Sequence, residues 1–434
     1  MARIIPLWSN KMHNCATIPS LLLVTRYLSL IMHLRHLSLT NFRLYSRLEV
    51  DLPSQAILLY GDNAQGKTSL LEAIYVLATG RSSHTTSDRQ LINWLASEEG
   101  LTPHARLAAD VVRAERALHL EMVLLLEPAK TEDGWRFRKQ IKVNGAVVRV
   151  TDLVGQVAVV MFLPDDVEIV GGGPANRRRY LDNALSQVDV EYARALDLYT
   201  DVVSQRNALL KQLTETGGDP DQLIYWDEQL AAAGTTITLR RQSMIAELAQ
   251  LADRLHRDLT RERHTLRLRY QPAFNADQPI GPVYQPSLKL DLPTQSPEAT
   301  FEQAKKSFLK QLEARRKEEL ARGTTLVGPH RDELRFIADE IDLGTFGSRG
   351  QQRTAVLALK LAEVHWMRAQ INDWPILLLD EVMAELDAHR RGFLLNQINK
   401  ANQSILTATD PEMFTAEFRT QAKLVRVTRG RIES

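Results

Sequence analysis

A single cysteine, Cys15, occurs in 434 residues. That excludes a disulfide framework and a cysteine-rich zinc site, and a reducing cytoplasm is the expected setting. Net charge is almost absent as well, because 54 Lys and Arg against 53 Asp and Glu leave +1. Any affinity for nucleic acid must therefore come from local patches and not from bulk charge. No uninterrupted apolar stretch reaches the ~20 residues of a spanning helix, so no membrane segment is expected. No repeat of fixed period is visible, and no heptad run is long enough for an extended coiled coil. Residues 1–33 contain no Asp or Glu, and Arg26 interrupts the Leu-rich stretch over 18–31. This stretch imitates a signal or transit peptide, but the pattern after it makes Met32 the expected start of the fold and 1–31 an upstream extension. What remains is ordinary globular material, 44% hydrophobic and 25% charged, with room for two or three domains of ~100–200 residues.

Strand patterning occupies both ends of the chain. Residues 34–39 and 48–52 alternate, and 56–60 form a continuous apolar run ending at Gly61, as a buried central strand does. A helix follows, with Leu70, Ile74 and Leu77 on one face. Residues 105–112, 118–126 and 136–143 predict an antiparallel meander that turns at Asn144-Gly145 into a return strand over 147–150. Another buried run covers 157–162. Past Gly171-Gly172-Gly173-Pro174 the spacing becomes helical, through Leu181, Leu185, Leu196, Val203 and Leu210, and again through Ile245, Leu248, Ala252, Leu255 and Leu259. Residues 271–299 read as a loop, and Phe301, Phe308 and Leu312 lead a highly charged third helix. Strand patterning returns at 334–337, 375–380 and 403–407, with an amphipathic helix over 352–369. The expected architecture is an α/β head with a mixed sheet, made from residues 32–170 and 323–434 and split by a helical domain over 171–322.

Gly61-Asp62-Asn63-Ala64-Gln65-Gly66-Lys67-Thr68 matches G-x-x-x-x-G-K-[ST] between a predicted strand and a predicted helix. Glycines let backbone N–H groups turn inward around phosphate oxygens, and the helix N-terminus adds positive potential. Lys67 supplies charge for the β- and γ-phosphates, and the Thr68 hydroxyl suits Mg²⁺. Gly61 through Thr68, with Ser69, are the candidate nucleotide-binding residues. Leu377-Leu378-Leu379-Asp380-Glu381 ends a buried strand in two carboxylates. Asp380 suits metal support, and Glu381 suits polarising the attacking water. Ser348, Gly350 and Gln351, in Gly347-Ser348-Arg349-Gly350-Gln351-Gln352, open a helix and offer a second phosphate cradle; a plain N-cap Ser after a turn is the other reading.

The order of these motifs, completed by Leu386-Asp387, resembles ABC-type ATPase heads. In such heads the signature Ser and Gly of one subunit meet the γ-phosphate held by the other. Further segments narrow the resemblance: Leu39-Thr40-Asn41-Phe42-Arg43, Arg177-Arg178-Arg179-Tyr180-Leu181-Asp182, Gly328-Pro329-His330-Arg331-Asp332-Glu333-Leu334, Gly350-Gln351-Gln352-Arg353 and Leu378-Leu379-Asp380-Glu381. Together they resemble the RecF family of bacterial recombination mediator ATPases, from about Met32 to about Gly430. The resemblance implies ATP and Mg²⁺ as cofactors, an ATP-dependent homodimer and weak, DNA-dependent ATP hydrolysis. It also implies binding of double-stranded or single-strand-gapped DNA, and work with RecR and RecO to load the recombinase. Lys67, Glu381 and Ser348 would be its catalytic residues. The family often has Asp-Asp where this chain has Asp380-Glu381, no Q-loop glutamine stands near 162–166, and the switch position offers Thr407, Thr409 and Asp410 in place of His. Two other function classes are a transporter's nucleotide-binding subunit and a mainly architectural SMC-like DNA-binding protein.

Several basic groups have two readings. Arg177, Arg178 and Arg179 begin a helix, where cations oppose the macrodipole, and are expected to contact either DNA phosphate or carboxylates. Lys305, Lys306, Lys310, Arg315, Arg316 and Lys317 make either a solvated face or a DNA track. His330 and Arg331 approach the nucleotide or dimer seam, or form a structural turn. Asn41, Phe42 and Arg43 line the nucleotide base or close the first hairpin.

Overall fold

The computed structural model describes residues 32–85, 87–93, 103–113, 116–128, 135–274 and 297–433. The extension over 1–31 and most of the expected loop over 271–299 lie outside the described residues. Three sheets are built from the described residues. The first is antiparallel: β2 (Tyr45–Asp51), β1 (His33–Phe42), β4 (His104–Arg113), β5 (Arg116–Pro128), β6 (Trp135–Val143) and β7 (Ala146–Val148) lie side by side in that order. Asn144 and Gly145 have φ of 51° and 82°, the two positive values a tight hairpin turn demands. The return strand is shorter than expected, since residues 150–153 turn into helix.

The second sheet carries the site. Its order is β15 (Arg431–Glu433), β14 (Lys423–Thr428), β3 (Ala56–Tyr60), β13 (Ser404–Ala408), β12 (Ile376–Leu379) and β8 (Val159–Phe162), and all but β15 run parallel. Parallel strands are covered on both faces and so lack polar alternation. Side chains nevertheless alternate between two cores. Ile57, Leu59, Leu378 and Ile405 face the first sheet and helix α1 (Lys67–Thr79), meeting Leu37, Leu39, Leu107, Leu70 and Ile74. Leu58, Leu377, Leu379 and Leu406 face the other way, against helix-borne residues. Each such side chain is stabilised by about 1.5–3 kcal/mol on burial.

The helices α2 (Pro174–Ser186), α3 (Val190–Thr216), α4 (Leu223–Thr260) and α5 (Pro297–Arg322) share that second core with α6 (Arg349–Ile371). The 38-residue α4 buries Leu230, Ile237, Ile245, Leu248 and Leu255 along one stripe. Two buried arginines pin the packing. Arg206 of α3 reaches Asp227 of α4 at 2.8 Å, Glu319 of α5 at 2.6 Å and the Thr325 hydroxyl at 2.9 Å. Arg241 of α4 reaches Asp182 of α2 at 2.7 Å, Asp332 at 3.0 Å and the Pro329 carbonyl at 2.8 Å. A third, small sheet of β11 (Ile341–Asp342), β10 (Glu333–Ala338) and β9 (Arg267–Gln271) borders the helices. Neither β9 nor the terminal hairpin of β14 and β15 is among the strands the sequence pattern predicts.

Candidate nucleotide site

Gly61 through Gly66 join β3 to α1, which opens with Lys67 and Thr68. The loop needs its glycines for space as well as for conformation. Gly61 has φ 146°, and a Cβ there would sit 2.5 Å from the Val427 carbonyl oxygen of β14. Gly66 has φ 110° and lies against the Tyr45 ring. Only Gly tolerates both demands. Tyr45 is buried, burial pushes its phenol upward, and the protonated hydroxyl donates to the Gly66 carbonyl at 2.9 Å. The terminal hairpin braces the opposite side: Arg429 N donates to Gln65 Oε1 at 2.7 Å and Gly430 N to the Gln65 carbonyl at 2.9 Å. Asp62, Asn63 and Ala64 are exposed at the tip, with Ala64 at φ 60°, and Ser69 is half-buried in the first turn of α1.

Lys67 is buried, and its ammonium donates to the carbonyls of Gly61 at 2.7 Å and Asp62 at 3.0 Å. It also lies 3.3 Å from Glu381 Oε1. Asp380 emerges from β12, 6% exposed. It accepts from Thr68 Oγ1 at 2.9 Å and from Thr407 Oγ1 at 2.7 Å. Its own N–H donates to the Phe162 carbonyl at 3.0 Å. Glu381 follows with φ 50°, a left-handed conformation that side-chain-bearing residues adopt only when held there. Lys67, Thr68, Asp380 and Glu381, drawn from opposite halves of the chain, thus meet in one place.

The arrangement joins one fixed cation, a hydroxyl beside a carboxylate, and a second, half-exposed carboxylate. Among the described residues no group of three His, Cys, Asp or Glu side chains is placed to hold a metal. Thr68 and Asp380 instead form a sparse, all-oxygen donor pair. That suits Mg²⁺, which keeps several waters and takes one or two protein ligands plus substrate phosphates.

Ser348 is the N-cap of α6. Its N–H donates to Gln351 Oε1 at 2.9 Å, and its Oγ accepts from Gln351 N at 3.3 Å, a reciprocal capping box. The plain capping role is therefore present. Ser348, Gly350 and Gln351 are all exposed, the Gly350 Cβ position faces open space, and Phe346 beside them is 77% exposed. The hydrogen bonds of Ser348 and Gln351 run within this turn, not to Gly61–Thr68 of the same chain, and Arg349 lies 3.5 Å from Glu168.

The basic groups divide. Arg177 is buried and forks onto Glu333 at 2.6 and 2.9 Å, and Arg178 donates to the Asp332 carbonyl at 2.9 Å. Arg177 thus makes the structural ion pair and Arg178 a bond to a backbone carbonyl, while Arg179 donates to Asn176 at 3.2 Å. Lys305 pairs with Glu228, Arg315 with Glu318 and Arg316 with Asp227. Lys306, Lys310 and Lys317 are exposed and make none of the ion pairs found among the described residues. His330 lies 2.6 Å from the Tyr199 hydroxyl and 3.2 Å from the Thr325 carbonyl, and burial pushes it down to about 4. Arg331 donates to the same carbonyl. These contacts make 328–332 a structural turn. Phe42 is 0% exposed in the core, so for this residue base-lining is corrected to hairpin closure, while Arg43 forks onto Glu72 of α1 at 2.9 and 2.8 Å. The parts that motif spacing misses are Tyr45 and the Gln65–Arg429 brace, together with the two bonds that Thr407, named in sequence only as a switch-position residue, makes to Asp380 and Glu381. None carries a local signal, because each acts on residues distant in sequence.

Comparison with known proteins agrees with this geometry. The family model RecF/RecN/SMC N terminal domain matches residues 33–433. The DNA replication and repair protein RecF of Chloroflexus aggregans is 41% identical over 411 residues, covering 92% of this chain and 99% of the relative. RecF of Symbiobacterium thermophilum is 40% identical over 403 residues, covering 92% and 98%. The solved structure of the recombination mediator protein RecF with ATP, from the RecFOR pathway, superposes with a TM-score of 0.77 at 27% identity, covering 93% of this chain and 97% of that one. Among the described residues no helix is long and apolar enough to cross a membrane. The α/β fold is that of an ABC-type ATPase head, and the chain belongs to the RecF family of DNA replication and repair proteins.

Proposed function

We propose that this protein is a DNA-binding ATPase of recombinational repair and replication restart, closed into a homodimer by ATP. The carrying observation is the convergence of Lys67, Thr68, Asp380 and Glu381. Residues 32–170 and 323–434 act as the head, and 171–322 as a helical domain. Backbone N–H groups of 61–69 cradle the phosphates. Lys67 exchanges its loop carbonyls for β- and γ-phosphate oxygens and balances their charge. Thr68 and Asp380 would hold Mg²⁺, which supplies charge neutralisation at the phosphates when bound. Glu381 Oε accepts the proton of the water that attacks the γ-phosphorus, while the bond from that phosphorus to the bridging oxygen breaks and ADP leaves with the electron pair. Ser348, Gly350 and Gln351 of a second copy donate to that γ-phosphate, a reading their exposure supports.

The closed dimer grips double-stranded or single-strand-gapped DNA, and with RecR and RecO it helps load the recombinase. Solved relatives described in the RecFOR pathway support this placement. Membership of a DNA repair family favours it over a transporter subunit. The test is ATP turnover with and without a gapped duplex in detergent-free buffer. Slow turnover that rises with DNA is expected; turnover indifferent to DNA contradicts the reading.

A further inference from the structure

We infer that Thr407 is a positioning residue for the acidic pair, setting the Asp380 carboxylate and the Glu381 backbone with one hydroxyl. The inference rests on the ATPase reading above.

β13 lies between β3, which leads into the phosphate loop, and β12, which ends in the acidic pair. The ladder between β12 and β13 stops at Leu379 opposite Leu406. Asp380 and Glu381 then leave the sheet with no further backbone pairing to β13. At that point the Thr407 hydroxyl takes over from the ladder. It donates to Asp380 Oδ1 at 2.7 Å and accepts from Glu381 N at 2.9 Å. One hydroxyl can do both, having one donor and two lone pairs. Thr407 is 2% exposed, so bulk water does not stand in for it.

Each bond has a consequence. The bond to Asp380 holds the carboxylate from the β13 side, while Asp380 N is held from the β8 side by the Phe162 carbonyl. The carboxylate is thereby fixed where Thr68 Oγ1 also reaches it. The bond to Glu381 N holds the left-handed turn at φ 50°, and that turn brings the Glu381 carboxylate to 3.3 Å from Lys67 Nζ. A strained backbone of this kind persists only where its surroundings over-determine it. Thr407 acts through these two residues.

The test compares the full-length parent with Thr407→Val and Thr407→Ser. Val keeps the β-branched shape and removes both bonds; Ser keeps the hydroxyl. Loss of such a supporting partner is expected to lower kcat by about 10- to 100-fold in the Val variant, with KM for ATP moving less than about threefold and half-maximal Mg²⁺ rising about tenfold. The Ser variant is expected to stay within about threefold of the parent. A second readout is equilibrium binding of a methylanthraniloyl-ATP probe. The Val variant should match the parent in EDTA and bind more weakly than it in Mg²⁺. Parental kcat and Mg²⁺ dependence in the Val variant overturn the inference, as does equal weakening with and without Mg²⁺, which marks general damage. Should the Val variant not fold, Thr407→Cys takes its place, since a thiol donates and accepts weakly, with the same two outcomes. A folded parent that turns over no ATP overturns the ATPase reading itself, and this inference with it.

Discussion

Thr68 and Asp380 stand 312 positions apart in the chain and meet through a 2.9 Å hydrogen bond. The contact joins the first turn of α1 to the end of β12. It is possible because β13 spaces the two parallel strands that lead into it. The candidate nucleotide site is therefore a product of tertiary assembly, even though both of its motifs are local.

Lys67 tests the cation's role. Lys67→Met leaves a buried, apolar side chain of similar length, so the fold should survive. Loss of the charge that balances the phosphates is expected to weaken ATP binding and to reduce hydrolysis by at least about 100-fold. Isothermal titration with ATP and a phosphate-release assay measure both. Retained hydrolysis would remove Lys67 from the mechanism.

His330 gives the protein an acid-sensitive element. Burial lowers it from its ordinary 6.5 to about 4. Between those values the unfolded chain takes up a proton that the folded chain refuses. This contribution is present in full above pH 6.5 and is lost as pH falls through 4, amounting to about 3 kcal/mol over the window. Urea unfolding at a series of pH values should show the slope, and His330→Gln should flatten it. A Gln variant with the parental slope would assign the acid sensitivity to other groups.

Arg206 is 0% exposed between Asp227 and Glu319. Arg206→Met leaves both carboxylates without their shared cation, and removing one partner of a buried pair costs about 3–5 kcal/mol. Arg316 still reaches Asp227, and Leu326 N still donates to Glu319, so the lower end is expected. Equilibrium denaturation followed by far-UV circular dichroism reads the loss. A change below about 1 kcal/mol would show the network to be dispensable.

The three lysines of α5 without ion pairs test the DNA track. Changing Lys306, Lys310 and Lys317 to Ala together should lower duplex affinity. The slope of log affinity against log salt should become shallower by up to about 2.7, at about 0.9 for each phosphate no longer neutralised. Fluorescence anisotropy across a salt series gives that slope. An unchanged slope would make these lysines a solvated face.

The legibility of this chain follows the range of the interactions involved. The phosphate loop is readable because its chemistry lies within eight consecutive residues between a strand and a helix. The acidic pair is readable because a run buried on both faces must end at a polar turn. The hairpin at Asn144-Gly145 is readable because two positive φ angles demand those residue types. Arg177 is ambiguous in sequence because its partner, Glu333, lies 156 positions away. Phe42 resembles a ligand-facing aromatic in sequence, and only the closing of the first sheet over it shows otherwise. β9 is hidden because Arg267-Leu268-Arg269-Tyr270 continues the charge of α4, and only pairing with β10 makes it a strand. Thr407 is visible in sequence only as a switch-position hydroxyl, since its two partners are set by the register of β13.

In the proposed function, two copies enclose ATP between the phosphate loop of one and the Ser348 segment of the other. Sedimentation velocity of Glu381→Gln in ATP, compared with the same variant also carrying Ser348→Arg, tests it most directly. Glu381→Gln retains the binding residues while losing the proton acceptor, so it should accumulate as a stable dimer in ATP and remain monomeric in ADP. The added arginine should return it to monomer while its ATP binding persists. A Glu381→Gln protein that stays monomeric in saturating ATP, or a dimer indifferent to Ser348→Arg, would contradict the account.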